Sequence, residues 1–515
     1  MSRFAMSFDI PTPIFAADFW MTLWLTPIWF LAIGIVAGFA VLLGFLGLFK
    51  VLSQVGMLEK MRRDGSANVI AAVITLVLGG LLAAYLRVGG GSVLFRSTSG
   101  SFESEEWAMF CVATTMMIGI VVWAVLFCSS SRFLSELRSL LFEGVGLYMV
   151  TTLSTMAAIG LASTFLVSDP MGALRSIPEL FTSQNVDRKF EAPPIGSDGV
   201  APFQKIDLQY SPDSLVFIQM RSDRRLLLTD GPSISESKEK TLTIEANQPI
   251  IWTSKMGAKD SPLPMSDESQ IYIQNQEVDK AVFEVVLSSA PKVRESLTFV
   301  LVALFVVVFG LLFMLMQAVA PKAAAIALSA AKSELSQPLP TILMLLVALT
   351  ILLFVFLPFH TLGEDIKLLK DCGVTLILLA ATFQAVWSAS TSVNDEIEGR
   401  TALTLLSKPV HRRSFIIGKI MGITWIVMLM FLVLGSTELL AVAYKPMVEA
   451  RESSLDAPTW QQCHNEMMQT IPGLAMAFFQ ASVLGAFAVA LGKRFSLIAN
   501  FSICFSIYLI GHLTP

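Results

Sequence analysis

The sequence predicts an all-α polytopic membrane protein of about ten transmembrane helices, carrying an inserted β-rich extracytoplasmic domain. Three observations predict it. Of 515 residues, 54% are hydrophobic and only 15% charged, with a mean hydropathy of +0.68; soluble chains sit near 45–50% apolar and about 25% charged. Apolar runs of about 20 residues, the length that crosses the hydrocarbon layer, recur towards both ends of the chain. Between them, residues 168–295 lose that character altogether.

Taken in order, with ends placed at charged or Pro/Gly-rich breaks, an N-terminal membrane region (1–167) holds four runs: 27–49, 69–86, 107–128 and 145–167. Trp20, Trp24 and Trp29 flank the first at interfacial level. Residues 1–18 lack the basic, apolar and small-residue segments of a cleavable leader. A fifth run covers 296–318. After a short helical segment (319–340), five more lie in the region 341–515, at 341–357, 372–388, 415–443, 471–491 and 496–510.

Lys and Arg in short loops set the orientation, because cytoplasmic loops carry the excess. Loops 50–68, 129–144, 319–339, 392–414 and 492–495 hold 14 Lys/Arg, against seven in the opposite short loops, among them Lys367, Lys370, Lys445 and Arg451. The richer side is expected to be cytoplasmic in a bacterial inner membrane, which turns 168–295 outward.

Within 168–295, KIDLQY, SLVFIQM, RRLLLTD, KTLTIEA, PIIWTS, QIYIQN and AVFEVVL are short alternating or apolar runs. Turn clusters such as SPDS and DGPS separate them, the signature of a small sandwich or barrel. The segment has no Cys and no His, and its acidic residues outnumber its basic ones. It is read as a structural or interaction domain, with a periplasmic partner as one candidate ligand. No aromatic-plus-basic stripe suggests nucleic acid.

Residues 321–337 are Ala-rich and helical by propensity. Ala324, Leu328, Ala331 and Leu335 share one face, which suits a helix lying in the cytoplasmic interface of the lipid bilayer.

Catalytic patterns are missing. There is no G-x-x-x-x-G-K-[ST], so this chain is not expected to hydrolyse ATP. The four His residues (360, 411, 464, 512) are dispersed, and no C-x-x-C occurs among five Cys, which argues against a metal or redox site. No cofactor is expected on this chain. Cys111, Cys128 and Cys504 read as small buried hydrophobes; a Cys372–Cys463 disulfide stays open. Ionisable groups inside spans are costly and usually functional, so Glu438, with the polar Gln384 and Gln480, forms a set of candidate pathway residues.

The most ordered polar stretch is 394–422, NDEIEGRTALTLLSKPVHRRSFIIGKIMG. Acidic residues come first, then Leu403 and Leu406, then Pro409, which cannot donate a backbone hydrogen bond and ends a short helix. Arg412 and Arg413 follow, at a level where basic groups are drawn to anionic headgroups, and Lys419 is able to snorkel back to it. The pattern E-I-E-G-R-T-x-x-x-L-L-S-K-P-V-x-R-x-x-F-I-I-G-K-x-x-G resembles the signature of ABC type-2 permeases, the export-type membrane subunits. It is most similar to the branch that includes the nitrous-oxide-reductase maturation permease. Glu396, Glu398, Gly399, Thr401, Leu405, Leu406, Pro409, Arg412, Gly418 and Lys419 match it, while Arg400 stands where the family often has an acidic residue or Gly.

The resemblance covers roughly 320–515. It implies a cytoplasmic coupling helix that docks into a separate ABC ATPase, a permease homodimer or heterodimer, and ATP and Mg used by that partner. It also implies a sixth span after Pro515, so a C-terminally incomplete sequence is expected. Two functions follow: a non-catalytic permease subunit, read as an exporter, or the membrane component of an ABC-type complex doing envelope assembly or mechanical work.

Overall fold

A computed structural model describes residues 21–64, 66–88, 104–130, 133–134, 144–167, 169–182, 185–195, 201–206, 208, 215–231, 241–253, 261–263, 271–289, 291, 293–357, 364–398, 411–452, 457–492 and 494–513. It parts into two compact units. One comprises Met1–Gly79, Ala113–Ser168 and Thr298–Pro515; the other comprises Gly80–Val112 and Asp169–Leu297.

The helices are α1 (Met21–Leu52), α2 (Gly56–Arg63), α3 (Ser66–Val88), α4 (Ser104–Cys128), α5 (Gly144–Ala162), α6 (Pro170–Thr182), α7 (Leu297–Val319), α8 (Pro321–Leu335), α9 (Pro338–Phe356), α10 (Asp365–Glu398), α11 (Arg412–Glu452), α12 (Trp460–Leu491) and α13 (Leu497–Leu513). Among the described residues, eight helices are long and apolar enough to cross a membrane, where ten apolar runs were predicted. The other two runs form shorter apolar helices, Ser66–Leu82 and Leu497–Gly511.

Bilayer-spanning helices gain little from burying apolar area against one another; small residues that let backbones approach hold them together. A Cβ on Gly34 or Gly38 of α1 would overlap Val302 or Val306 of α7 (2.7 Å each), and one on Gly310 of α7 would overlap Leu42 of α1. In α3 and α4, Gly79 faces Thr115 and Gly119 faces Thr75. The longest helix, the 41-residue α11, packs against α1, α5, α8, α9, α10 and α12.

The predicted interfacial helix α8 is better buried than its pattern implied. Ala323, Ala324, Ala327 and Ala331 are buried, while Leu328 and Leu335 are only partly so. The covered face is the one with the smallest side chains, because it admits α11 closely.

Among the described residues of the second unit, eight strands form two four-stranded antiparallel sheets. One has the order β1 (Asn185–Ala192), β8 (Ala281–Ser289), β3 (Leu215–Ser222), β6 (Ile250–Thr253). The other has β2 (Gln204–Ile206), β7 (Ile271–Asn275), β4 (Leu226–Thr229), β5 (Thr241–Ile244). Ile218, Met220, Phe283 and Val285 from the first share one core with Leu226, Leu228, Ile244 and Ile273 from the second. β7 and β8 alternate buried and half-buried along their length, as strands covered on one face do. Between β5 and β6, Asn247 adopts φ +60°, and its N–H donates to the Ser222 carbonyl at 2.7 Å.

Candidate functional site

The 394–422 stretch joins α10 to α11. The side chains of Glu396, Glu398 and Arg412, and the whole of Gly399, Thr401, Leu405, Leu406 and Pro409, lie outside the described residues. His411 and Arg413 are exposed.

The end of the stretch is firmly packed. A Cβ on Gly418 would meet the Ala323 carbonyl at 2.7 Å and Ile326 Cβ at 2.8 Å. One on Gly422 would meet the Ala327 carbonyl at 2.8 Å and Ala330 Cβ at 3.1 Å. These two glycines, one turn apart, therefore seat the start of α11 on the alanine face of α8. Lys419 is buried, not turned out towards headgroups, and its ammonium lies over the Phe415 ring, 5.8 Å from the centroid, within cation–π range.

The three candidate pathway residues are not gathered into one place. Glu438 of α11 is fully buried, and neither carboxyl oxygen has a hydrogen-bond partner among the described residues. Its carboxyl occupies the space where Gly373 of α10 lacks a side chain. Gln384 lies on α10 three turns beyond Gly373, roughly 16 Å along the axis. It is also fully buried, and among the described residues neither its amide atoms nor the hydroxyl of Ser388 one turn on has a hydrogen-bond partner. Gln480 of α12 is half-buried. Because Gly473 abuts Val374 and Gly485 abuts Ala385, α10 and α12 run parallel. That register puts Gln480 about one turn from the level of Gln384, well away from Glu438.

Other buried polar groups escaped the sequence. Lys445, expected in an outer loop, lies inside α11 with no exposed surface; its Nζ donates to the Val355 carbonyl at 3.1 Å and the Leu357 carbonyl at 3.5 Å. It thereby satisfies carbonyls left open at the C-terminus of α9. Asn500 of α13 donates to Ser390 Oγ (2.9 Å) and the Ala488 carbonyl (3.0 Å), tying α13 to α10 and α12. Thr298 Oγ1 and His464 Nε2 share a buried hydrogen bond of 2.8 Å. Beside them, Phe30 stacks on Phe299 (centroids 4.5 Å apart) and on Trp460 (5.4 Å). Lys370 of α10 pairs with Glu466 of α12.

Cys372 and Cys463 are free thiols, so the disulfide left open above is not formed. Among the described residues, no three His, Cys, Asp or Glu side chains converge to hold a metal ion. What the arrangement offers is mechanical: a long helix, locked at its first turns to a neighbour and packed along its length against five others. No family model, curated protein or solved structure matches the chain.

Proposed function

We propose that this chain is the permease subunit of an ATP-driven ABC transporter, working as a dimer of permeases with a separately encoded ATPase, and that it exports its substrate. The observation that carries the reading is the sequence pattern from Glu396 to Lys419. Its acidic start, paired leucines, Pro409 and basic close have the composition of a surface helix that docks a partner. The lock of Gly418 and Gly422 onto α8 supports it, since a push delivered at Arg412 enters a rigid helix in contact with α1, α5, α8, α9, α10 and α12. In this reading ten helices cross a bacterial inner membrane, the stretch is cytoplasmic and the sandwich is extracytoplasmic.

Purification of the full chain together with the separately encoded ABC ATPase that this reading requires tests the proposal. Glu398→Lys or Leu406→Asp is expected to abolish recovery of the ATPase while the chain still inserts. Undiminished recovery with both variants would falsify it. The eight-stranded sandwich favours a second reading, in which the ATPase drives envelope assembly through a periplasmic partner. Substrate-stimulated ATPase activity in liposomes supports export; a stable periplasmic partner without such stimulation supports the alternative.

A further inference from the structure

A slot of about 810 Å³ runs through the membrane unit, within the range of roughly 300–1,000 Å³ typical of ligand pockets. One wall is α7 from Leu301 to Met316, and the facing wall is α11 from Ile420 to Leu432. α12 adds Ile471 to Phe479, and Met117 and Met149 come from α4 and α5. At 1.5 Å per residue the α7 wall is about 22 Å long, more than the ~15 Å that one leaflet contributes to the hydrocarbon core. Phe313 and Trp425, with ring centroids 4.1 Å apart, meet across it.

The lining has almost nothing to offer a polar solute. The Thr424 hydroxyl already donates to the Ile420 carbonyl at 2.9 Å, and apart from the Trp425 indole the remaining side chains are apolar. A compact polar substrate would lose its hydration and gain no partners, a cost of several kcal/mol. The slot is open at the side: Phe305 is 50% and Phe479 61% exposed.

We propose that the slot holds one acyl chain of a membrane lipid, admitted sideways from the bilayer. Its length, its opening towards the bilayer and its near-complete lack of polar groups match an extended hydrocarbon chain. Its thioethers, Met117, Met149 and Met428 among them, are side chains that adapt to a chain of variable conformation. This goes beyond the permease reading and does not depend on it.

The test uses the full chain in vesicles of phosphatidylethanolamine and phosphatidylglycerol, doped with a phospholipid bearing a diazirine on one acyl chain. After photolysis, adducts are mapped by peptide mass spectrometry. Adducts are expected on Phe309, Met428 and Phe478, as well as on exposed positions of α9 such as Leu345 and Leu349. Ala475→Trp, which fills the slot, is expected to abolish the first set and leave the second unchanged. A parental map without slot adducts overturns the proposal, and so does slot labelling that persists in Ala475→Trp. If that variant does not purify like the parent, Leu304→Trp is read in the same way, and the parental map alone suffices to overturn the proposal.

Discussion

Glu438 and Gly373 form a pair in which one side chain exists at the expense of another. The carboxyl fills the volume that any β-carbon at position 373 would need. Gly373→Ala is therefore expected to destabilise the purified protein by about 1–3 kcal/mol, the usual cost of overpacking, read as a lowered Tm in detergent. Glu438→Ala in the same chain should recover most of the loss. A Gly373→Ala protein melting with the parent would show that the packing is slack there. Lys445 makes the complementary case, a charge retained because backbone needs it. Lys445→Met should cost roughly 1.5–3 kcal/mol, as expected for hydrogen bonds from a charged donor, through the freed carbonyls of Val355 and Leu357. A Tm within a degree of the parent would dismiss the cap. Glu438 stood out in the sequence because charge is rare inside apolar runs. Its companion did not, since nothing local marks which glycine of another helix will face it. Lys445 misled for a related reason: it ends an apolar run, and a run's end reads as a loop when the helix in fact continues.

At the scale of elements, apolar length located the spans but not the helices. The run 372–388 lies within a helix that extends from Asp365 to Glu398, and 471–491 within one that begins at Trp460. The earlier start was legible: Thr459 and Gln462 form a reciprocal capping box, a T-x-x-Q pattern that a search for apolar runs passes over. Six of the eight strands, β3 to β8, coincide with predicted runs, and β2 shares Lys205 and Ile206 with a seventh. The eighth, β1, reads NVDRKFEA and is charged because it is an edge strand, where charge discourages pairing with other chains. Lys189 pairs there with Glu284 of β8. The α8–α11 seam was half legible, as an alanine-rich helix and a G-x-x-x-G spacing far apart in sequence. Its prediction is graded: Gly422→Ala should lower the Tm clearly, because its Cβ already meets the Ala327 carbonyl at 2.8 Å, and Gly422→Leu should lower it further. If both variants melt with the parent, the helices are not in close contact and the start of α11 is not locked to α8.

For the whole molecule, the two ends of the chain share one unit even though a 128-residue polar segment separates them in sequence. The decisive contacts are specific. Trp24 of α1 meets Tyr444 of α11 edge-on at 5.3 Å, Phe30 lies against Trp460, and His464 depends on Thr298 for its hydrogen bond. Ala443 and Met467 are buried in the same cluster as Ile28, Leu31 and Val306. Composition cannot disclose this, because in a bilayer every span is apolar and only the matching of small to large side chains decides which spans touch. A fragment of residues 320–515 would leave those faces to lipid and strand His464 without its partner, at a cost of about 1–3 kcal/mol for the unsatisfied group alone. Expressed by itself, it is expected to be degraded or to run as aggregate in size-exclusion chromatography. Co-expression with residues 1–319 should restore a monodisperse complex, because the missing surfaces return on α1 and α7. A 320–515 fragment that is monodisperse alone and melts with the full chain would mean that the N-terminal spans are passengers on a self-sufficient C-terminal bundle, and the shared core would then contribute nothing to its stability.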